Sequence, residues 1–201
     1  NEVDSLLNEL DKIIAVHRSF SMKKEVRIDE LKRNTPPATS LTSLYERNRK
    51  LYKEYRAYIC DSAIHYLNKN IELASKMNDR MRQDESKLLL SYQLASSGMY
   101  KEAVDILESI YRGTMNARFL TDYYSCFDHV YGELAFYTQD KVSSAGYRKI
   151  SDAYKDSLFH VVDHSTDLYL SMKETAYRDN SEFDETPQAN DMRLYTGKSG
   201  T

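Results

Sequence analysis

The stretch that decides the fold runs from Glu85 to Ile110 and reads ESKLLLSYQLASSGMYKEAVDILESI. Apolar and small residues recur at helical intervals on both sides of Gly98, a residue that can adopt the positive φ with which many helices end. Ala103 is small enough to let a second helix approach closely. The stretch therefore predicts two antiparallel helices that are joined by a short turn at Gly98.

This spacing resembles a tetratricopeptide repeat (TPR), in which two antiparallel helices meet at small residues. The chain departs from that pattern at two positions, because Lys87 stands at the usual tryptophan position and Ser91 at a usual glycine position. The resemblance implies a scaffold for binding or assembly, and it does not name what the scaffold binds.

The composition favours one all-α domain. The chain has 201 residues, contains only 6 glycines and 3 prolines, and lacks any run that alternates strictly between apolar and polar residues. We expect a right-handed superhelix of degenerate TPR-like helix hairpins with a long N-terminal helix. A net charge of -3, without an isolated cluster of lysines and arginines, argues against direct binding of nucleic acid.

A long N-terminal helix is predicted from Val3 to Leu31, and Thr35-Pro36-Pro37 ends it because proline disfavours a helical residue before it. Residues 1–34 would form a capping helix that lies on the first repeat. The first half of this helix has an apolar spacing near 3.5 residues, which is also typical of a short coiled coil between chains.

About four TPR-like hairpins are expected between residues 43 and 196. The second helix is predicted to begin at the capping box Ser43–Glu46, and the third helix is predicted to have Asp61 as its N-cap. The third repeat is expected to contain a longer inner loop, from Gln139 to Gly146. Residues 197–201 would be a tail, truncated before further repeats.

Residue patterns for catalysis or metal binding are sparse. His160 and His164 are four residues apart, as two zinc ligands on a helix would be, but no third ligand is suitably spaced. Cys60 and Cys126 lie in apolar-periodic segments and are expected to be free thiols rather than a disulfide. No phosphate-binding loop or nucleophile elbow is found, so we expect no enzymatic activity and no cofactor.

The chain starts at Asn1 rather than methionine, and it contains no apolar run long enough to cross a bilayer. It is expected to be a processed or trimmed product, with any signal peptide or membrane anchor outside it. Tyrosine accounts for 17 residues and tryptophan is absent, a bias that suits either inter-helix packing or half-exposed grooves that recognise sugars or peptides.

A candidate binding surface comes from the second helix, where three cations four and three residues apart share one face. First helices line the inner surface of stacked repeats, and a tyrosine on the neighbouring first helix falls where it would point into the same groove. This arrangement favours an acidic or phosphorylated partner. The alternative is a solvated face that pairs with Glu46 or Glu85. The candidate binding residues are Arg49, Lys53, Arg56 and Tyr92.

Several stretches together resemble one particular protein family. They are Asp4-Ser5-Leu6-Leu7-Asn8 through Lys12, Glu25 to Lys32, Tyr58 to Ala63 with Asn68-Lys69-Asn70, and Ala153 to Leu158. Over nearly the whole chain the sequence resembles the N-terminal TPR-containing region of SusR-like, membrane-spanning transcriptional regulators of Bacteroidetes. That resemblance implies an export signal, a repeat-bearing sensor region outside the inner membrane, a transmembrane helix and a cytoplasmic DNA-binding end.

The resemblance also implies that this chain is the sensor region alone and stops before the later repeats of the family. The leading hypothesis is a non-catalytic periplasmic domain that binds an oligosaccharide, peptide or protein and signals glycan or nutrient availability. A TPR adaptor for a peptide or protein, cytoplasmic in location, is the second hypothesis. An oligomerisation module is the third, since self-association is compatible with the long first helix.

Overall fold

The computed structural model describes residues 2–33, 40–110 and 116–179, and every regular element in these ranges is an α-helix. This confirms the all-α class. The chain divides into two compact units, 1–97 and 98–201, which are described separately below. The helices are α1 (Glu2–Arg33), α2 (Leu41–Tyr55), α3 (Cys60–Lys76), α4 (Arg80–Ala95), α5 (Tyr100–Glu108), α6 (Ala117–Tyr137), α7 (Lys141–Val161) and α8 (Asp167–Asp179).

In the first unit, α3 packs against both α2 and α4. Much of this contact comes from alanines and leucines that are almost fully buried. The alanines have small side chains, which let two helix axes approach each other. The turn between α3 and α4 contains Asn78 at a φ of 53°, a conformation that asparagine tolerates better than most residues. The buried aliphatic residues here are Leu51, Ala63, Leu67, Ala74, Leu88, Leu90, Leu94 and Ala95.

Two predicted helix starts are wrong, with N-caps misplaced by three residues at α2 and by two residues at α3. α2 begins at Leu41, because Ser40 is its N-cap and accepts a hydrogen bond from the backbone N–H of Ser43. α3 begins at Cys60 with Ile59 in the capping position, so Asp61 lies in the first turn instead of capping it. At Asp61 the carboxylate still favours the helix, because its charge opposes the positive end of the helix dipole.

The C-terminal half of α1 lies against α2. Ile28 is buried there, the Arg27 guanidinium donates two hydrogen bonds to the Glu54 carboxylate, and the Tyr58 hydroxyl donates to Glu25. The N-terminal half of α1 has exposed side chains from Val3 to Phe20. Only half of the predicted capping helix therefore covers its neighbour among the described residues.

In the second unit, α6 and α7 form a long antiparallel hairpin with an aromatic interface. A Cβ added at Gly132 would lie 3.5 Å from the Ser151 hydroxyl, so the two helices pass closely at this point. The predicted inner loop from Gln139 to Gly146 is wrong. α7 already begins at Lys141, since the Asp140 side chain caps it by accepting the backbone N–H of Ser143.

The turn that was predicted between α4 and α5 is present. Gly98 has a φ of 82°, and α5 begins two residues later with Ala103 completely buried. The second helix of the predicted fourth hairpin and the tail 197–201 lie outside the described residues. The division into one capping helix, about four hairpins and a tail remains a prediction.

Candidate functional site

α2 and α4 run side by side in the same direction in the first unit. The Tyr45 hydroxyl donates to the carbonyl oxygen of Arg82 over 3.1 Å, and the Gln93 amide donates to that of Arg56 over 3.3 Å. Both contacts join residues 37 positions apart, which fits parallel helices of successive repeats with a period close to the roughly 34 residues of a TPR. α2 and α4 thus occupy the positions of neighbouring first helices.

Charged side chains join these two helices along their shared face. Arg49 Nη2 lies 2.6 Å from Glu85 Oε1, and Arg82 Nη2 lies 3.6 Å from Glu46 Oε1. The Arg82 guanidinium also stands 5.3 Å above the Tyr45 ring, within the range of a cation–π contact. These contacts are partly exposed, so they align the two helices more than they stabilise the fold.

The four predicted binding residues therefore lie on two neighbouring helices, but they are not equivalent. Arg49 is half-buried in its ion pair with Glu85, as the alternative interpretation of this face expected. Lys53 and Arg56 are exposed, and no described carboxylate forms an ion pair with either of them. Tyr92 is 47% exposed and precedes Gln93, which contacts the end of α2. The last three residues form the basic-aromatic surface.

The first unit also buries several polar side chains that sequence periodicity missed. Asn48 and Asn70 are 2% and 1% exposed, and the Asn70 amide donates to the carbonyl oxygen of Tyr45 over 3.2 Å. Asp84 is 5% exposed and accepts from Arg80. A pattern search assigns asparagine and aspartate to the outside of a helix, which is why these residues gave no signal.

Described residues of the second unit line two clefts that the sequence did not indicate. One, of about 390 Å³, lies between α6 and α7, and the other, of about 330 Å³, lies between α7 and α8. The first is lined by Tyr124, Lys149, Ile150, Ala153, Tyr154 and Ser157. The second is lined by Asp152, Lys155, Asp156, Phe159, His160 and Met172.

Most tyrosines of the second unit pack against other rings. The Tyr154 ring stacks on Phe127 with a centroid distance of 4.3 Å, and it also neighbours Tyr124 and Tyr131. Such offset contacts stabilise a hairpin beyond simple burial. Tyr154 therefore has a packing role, which leaves Tyr92 in the first unit as a better candidate for ligand contact.

The histidine pair does not share a helix. α7 ends at Val161, so His164 lies beyond it and stacks on the Tyr169 ring at 4.2 Å, while His160 Nδ1 lies 2.7 Å from the carbonyl oxygen of Asp156. Within residues 2–33, 40–110 and 116–179, no group of three histidine, cysteine or acidic residues is arranged to hold a metal ion.

Neither cysteine forms a disulfide, as was expected. Cys126 is buried in α6, and Cys60 Sγ lies 2.7 Å from the Ser97 hydroxyl in the first unit. In the part of the chain that the structure describes, no helix combines the length and apolarity that a bilayer crossing requires.

In a comparison with known families, the family model of the SusR N-terminal TPR domain matches residues 14–201. No curated protein and no solved structure matches the chain. The family match covers most of the chain and agrees with the resemblance inferred from sequence and with the pairing of α2 and α4. The chain therefore belongs to the SusR N-terminal TPR domain family.

Proposed function

We propose that this chain is the non-catalytic, ligand-binding sensor domain of a membrane-spanning transcriptional regulator of glycan or nutrient utilisation. Its family membership supports a binding role, because helical repeats present extended surfaces to partners. The sensor domain would lie on the periplasmic face of the inner membrane, and the membrane segment and DNA-binding end would lie outside this chain. Signalling would then begin with ligand binding here.

The observation that carries this proposal is the basic-aromatic surface of Lys53, Arg56 and Tyr92. The ion pair between Arg49 and Glu85 aligns the two helices that present it. An exposed tyrosine ring provides an apolar face and a hydroxyl, and the two cations provide attraction for carboxylate, sulfate or phosphate groups. The surface therefore suits an acidic oligosaccharide or an acidic peptide.

Binding can be tested with the intact chain and a panel of acidic and neutral oligosaccharides and acidic peptides. A ligand that binds only the folded state raises the melting temperature, and titration calorimetry then measures its affinity. The variant Lys53→Ala/Arg56→Ala/Tyr92→Ala should lose at least tenfold in affinity while its own melting temperature stays within about 3 °C. Arg49 is left unchanged because its removal would leave the half-buried Glu85 carboxylate without the cation that pairs with it.

A matched control removes two exposed lysines and an exposed tyrosine elsewhere, in Lys76→Ala/Lys141→Ala/Tyr137→Ala. This variant should bind like the original chain. Normal binding by the first triple variant would place the site on another surface, and an intact chain that binds no member of the panel would refute a sensor for these ligands. Binding of peptides alone would favour the second hypothesis, a TPR adaptor.

A further inference from the structure

The N-terminal half of α1 exposes an apolar stripe to solvent. Its side chains are 50–68% exposed at the positions that define the stripe, although they are among the largest apolar groups of the chain. No described residue buries them. Scattered single apolar residues are normal on a surface, whereas a contiguous stripe of this kind marks an interaction surface. Its members are Val3, Leu6, Leu10, Ile13 and Phe20.

The stripe has the spacing of a coiled-coil seam. Steps of three and four residues alternate from Val3 through Leu6, Leu10 and Ile13 to His17 and Phe20, giving the mean of about 3.5 residues that keeps one helix face against a partner helix. Leu7 and Ile14 follow the same seam on one side and widen it.

The same face of the helix is already used further along α1. The next positions in the pattern are Lys24 and Arg27, and these contact Tyr58 and Glu54 at the α2 end of the first unit. The face of α1 that packs within the chain from residue 24 onwards therefore extends towards the N-terminus. No described residue covers this N-terminal part of the face. A partner helix is needed only for this first half.

Charge distribution indicates what that partner is. Residues 3–11 contain Asp4, Glu9 and Asp11 and no basic residue, while residues 18–24 contain three basic residues and no acidic one. Two copies of this helix that run in opposite directions would place each acidic end beside a basic end, whereas parallel copies would place like charges together. The basic residues are Arg18, Lys23 and Lys24.

We propose that this half of α1 is a self-association surface on which a second copy of the chain packs as an antiparallel two-helix coiled coil. The interface is two-fold symmetric, with Leu10 of one copy opposite Ile13 of the other and Val3 opposite Phe20. The Leu6 side chain then meets His17. This assembly goes beyond ligand binding, since it pairs two sensor domains without using the basic-aromatic surface.

The association is tested by sedimentation equilibrium of the intact chain at about 1 to 200 µM, a range that spans micromolar dissociation constants. The expected result is a monomer–dimer equilibrium. Leu10→Glu/Ile13→Glu should be monomeric throughout, because four buried carboxylates cannot share an apolar seam. Circular dichroism should show that this variant keeps its core, since neither side chain is buried in the monomer.

The matched control introduces the same two charges on the opposite face, at exposed Asn8 and Ala15, as Asn8→Glu/Ala15→Glu. It should dimerise with an affinity within about threefold of the original chain, since the substitutions leave the seam intact. A monomeric original chain, or equal loss of dimer in both variants, would refute the proposed interface.

Orientation is tested by reversing charge at one end or at both. Glu9→Lys/Asp11→Lys and Arg18→Glu/Lys23→Glu should each weaken the dimer at low salt, and the four changes together should restore it. That pattern requires antiparallel helices. If instead each single-end reversal leaves the affinity unchanged, the antiparallel arrangement is refuted.

A lipid surface is the competing occupant, because amphipathic helices also lie on membranes. The acidic first half opposes anionic lipid, so the chain should not sediment with vesicles of phosphatidylcholine and phosphatidylglycerol. Vesicle binding that is lost in Leu10→Glu/Ile13→Glu, together with a monomeric chain in solution, would assign the stripe to lipid and overturn the dimer.

Discussion

Helices α2 to α4 and the hairpin α6–α7 both pack helix against helix, but the side chains that form the contacts differ between these two regions. In the first region, polar groups are buried among small and aliphatic residues, as in the hydrogen bond of 3.0 Å between the Tyr45 and Ser86 hydroxyls. In the second, rings stack on rings, and Ser151 is the sole buried polar residue among its described residues. The buried polar residues of the first region are Asn48, Asn70, Asp84, Ser86, Ser91 and Gln93.

This difference matters for function because it separates two uses of tyrosine. Where rings form the interface, as Tyr154 does against Phe127, a tyrosine is needed for packing. In the first region, where hydrogen bonds and small residues form the interface, the Tyr92 side chain is 47% exposed. The comparison therefore directs the search for a ligand to the first region.

The largest expected effect tests whether rings hold α6 against α7. Phe127→Ala removes a ring that is 3% exposed and stacks on Tyr154, and it should lower the free energy of unfolding by about 3–5 kcal/mol. The matched change in the first region is Tyr66→Ala, a half-buried ring that stacks on Tyr55. Its cost should be clearly smaller. Equal losses in urea denaturation would remove the distinction between the two regions.

A second prediction concerns the stability of the second unit and one small buried residue in it. Ala103 is completely buried in α5, so Ala103→Phe should overpack its surroundings and cost about 1–3 kcal/mol or more. Glu102 is the next residue and is exposed, so Glu102→Phe should change stability by less than about 0.5 kcal/mol. Equal melting temperatures for these two variants would show that the predicted repeat register is wrong.

Much of the fold could be predicted from sequence because helix periodicity and Gly98 gave strong local signals. The misplaced starts of α2 and α7 have one physical cause, which is that several polar residues near each boundary can cap a helix. Ser40 competes with Ser43 at α2, and Asp140 ends the loop before Gly146 at α7. Local sequence does not show which side chain will reach the free backbone N–H groups.

The candidate site was only partly predictable. Spacing placed Arg49, Lys53 and Arg56 on one face, but pairing between helices depends on tertiary contacts that periodicity does not contain. Of the three cations, Arg49 forms an ion pair with Glu85, whereas Lys53 and Arg56 form no ion pair with a described carboxylate. The buried amides of Asn48 and Asn70 were missed for the same reason, since a polar side chain in a core is decided by its partners.

A third prediction measures the hydrogen-bonded contact in the first region. Tyr45→Phe keeps the ring and removes the hydroxyl that bonds to Ser86 and to the carbonyl oxygen of Arg82, so it should cost about 0.5–1.5 kcal/mol. Tyr137→Phe is the control in the second unit, where the ring is 61% exposed and the hydroxyl contributes little. If both variants unfold at the same urea concentration as the original chain, hydrogen bonds do not distinguish the regions.

The smallest expected effect concerns His129, a half-buried titratable group in the ring-packed hairpin. Burial lowers the pKa of His129 below its usual value, although the nearby carboxylates of Glu133 and Asp128 oppose that shift. With the folded-state pKa depressed, the unfolded chain takes up a proton first. His129 therefore disfavours the folded state as pH falls through the ordinary histidine value of about 6.5, and its contribution to stability is restored above that value.

His129→Gln keeps a polar side chain at this position without a titrating ring, so it should reduce the loss of melting temperature between about pH 7.5 and pH 5.5. The comparison is with the original chain and with His65→Gln, which changes an exposed histidine on α3. Melting curves followed by circular dichroism at several pH values give the slopes. A His129→Gln variant with the same slope as the original chain would mean that other groups govern the acid sensitivity, and that the ring-packed hairpin does not disfavour a charge at this position.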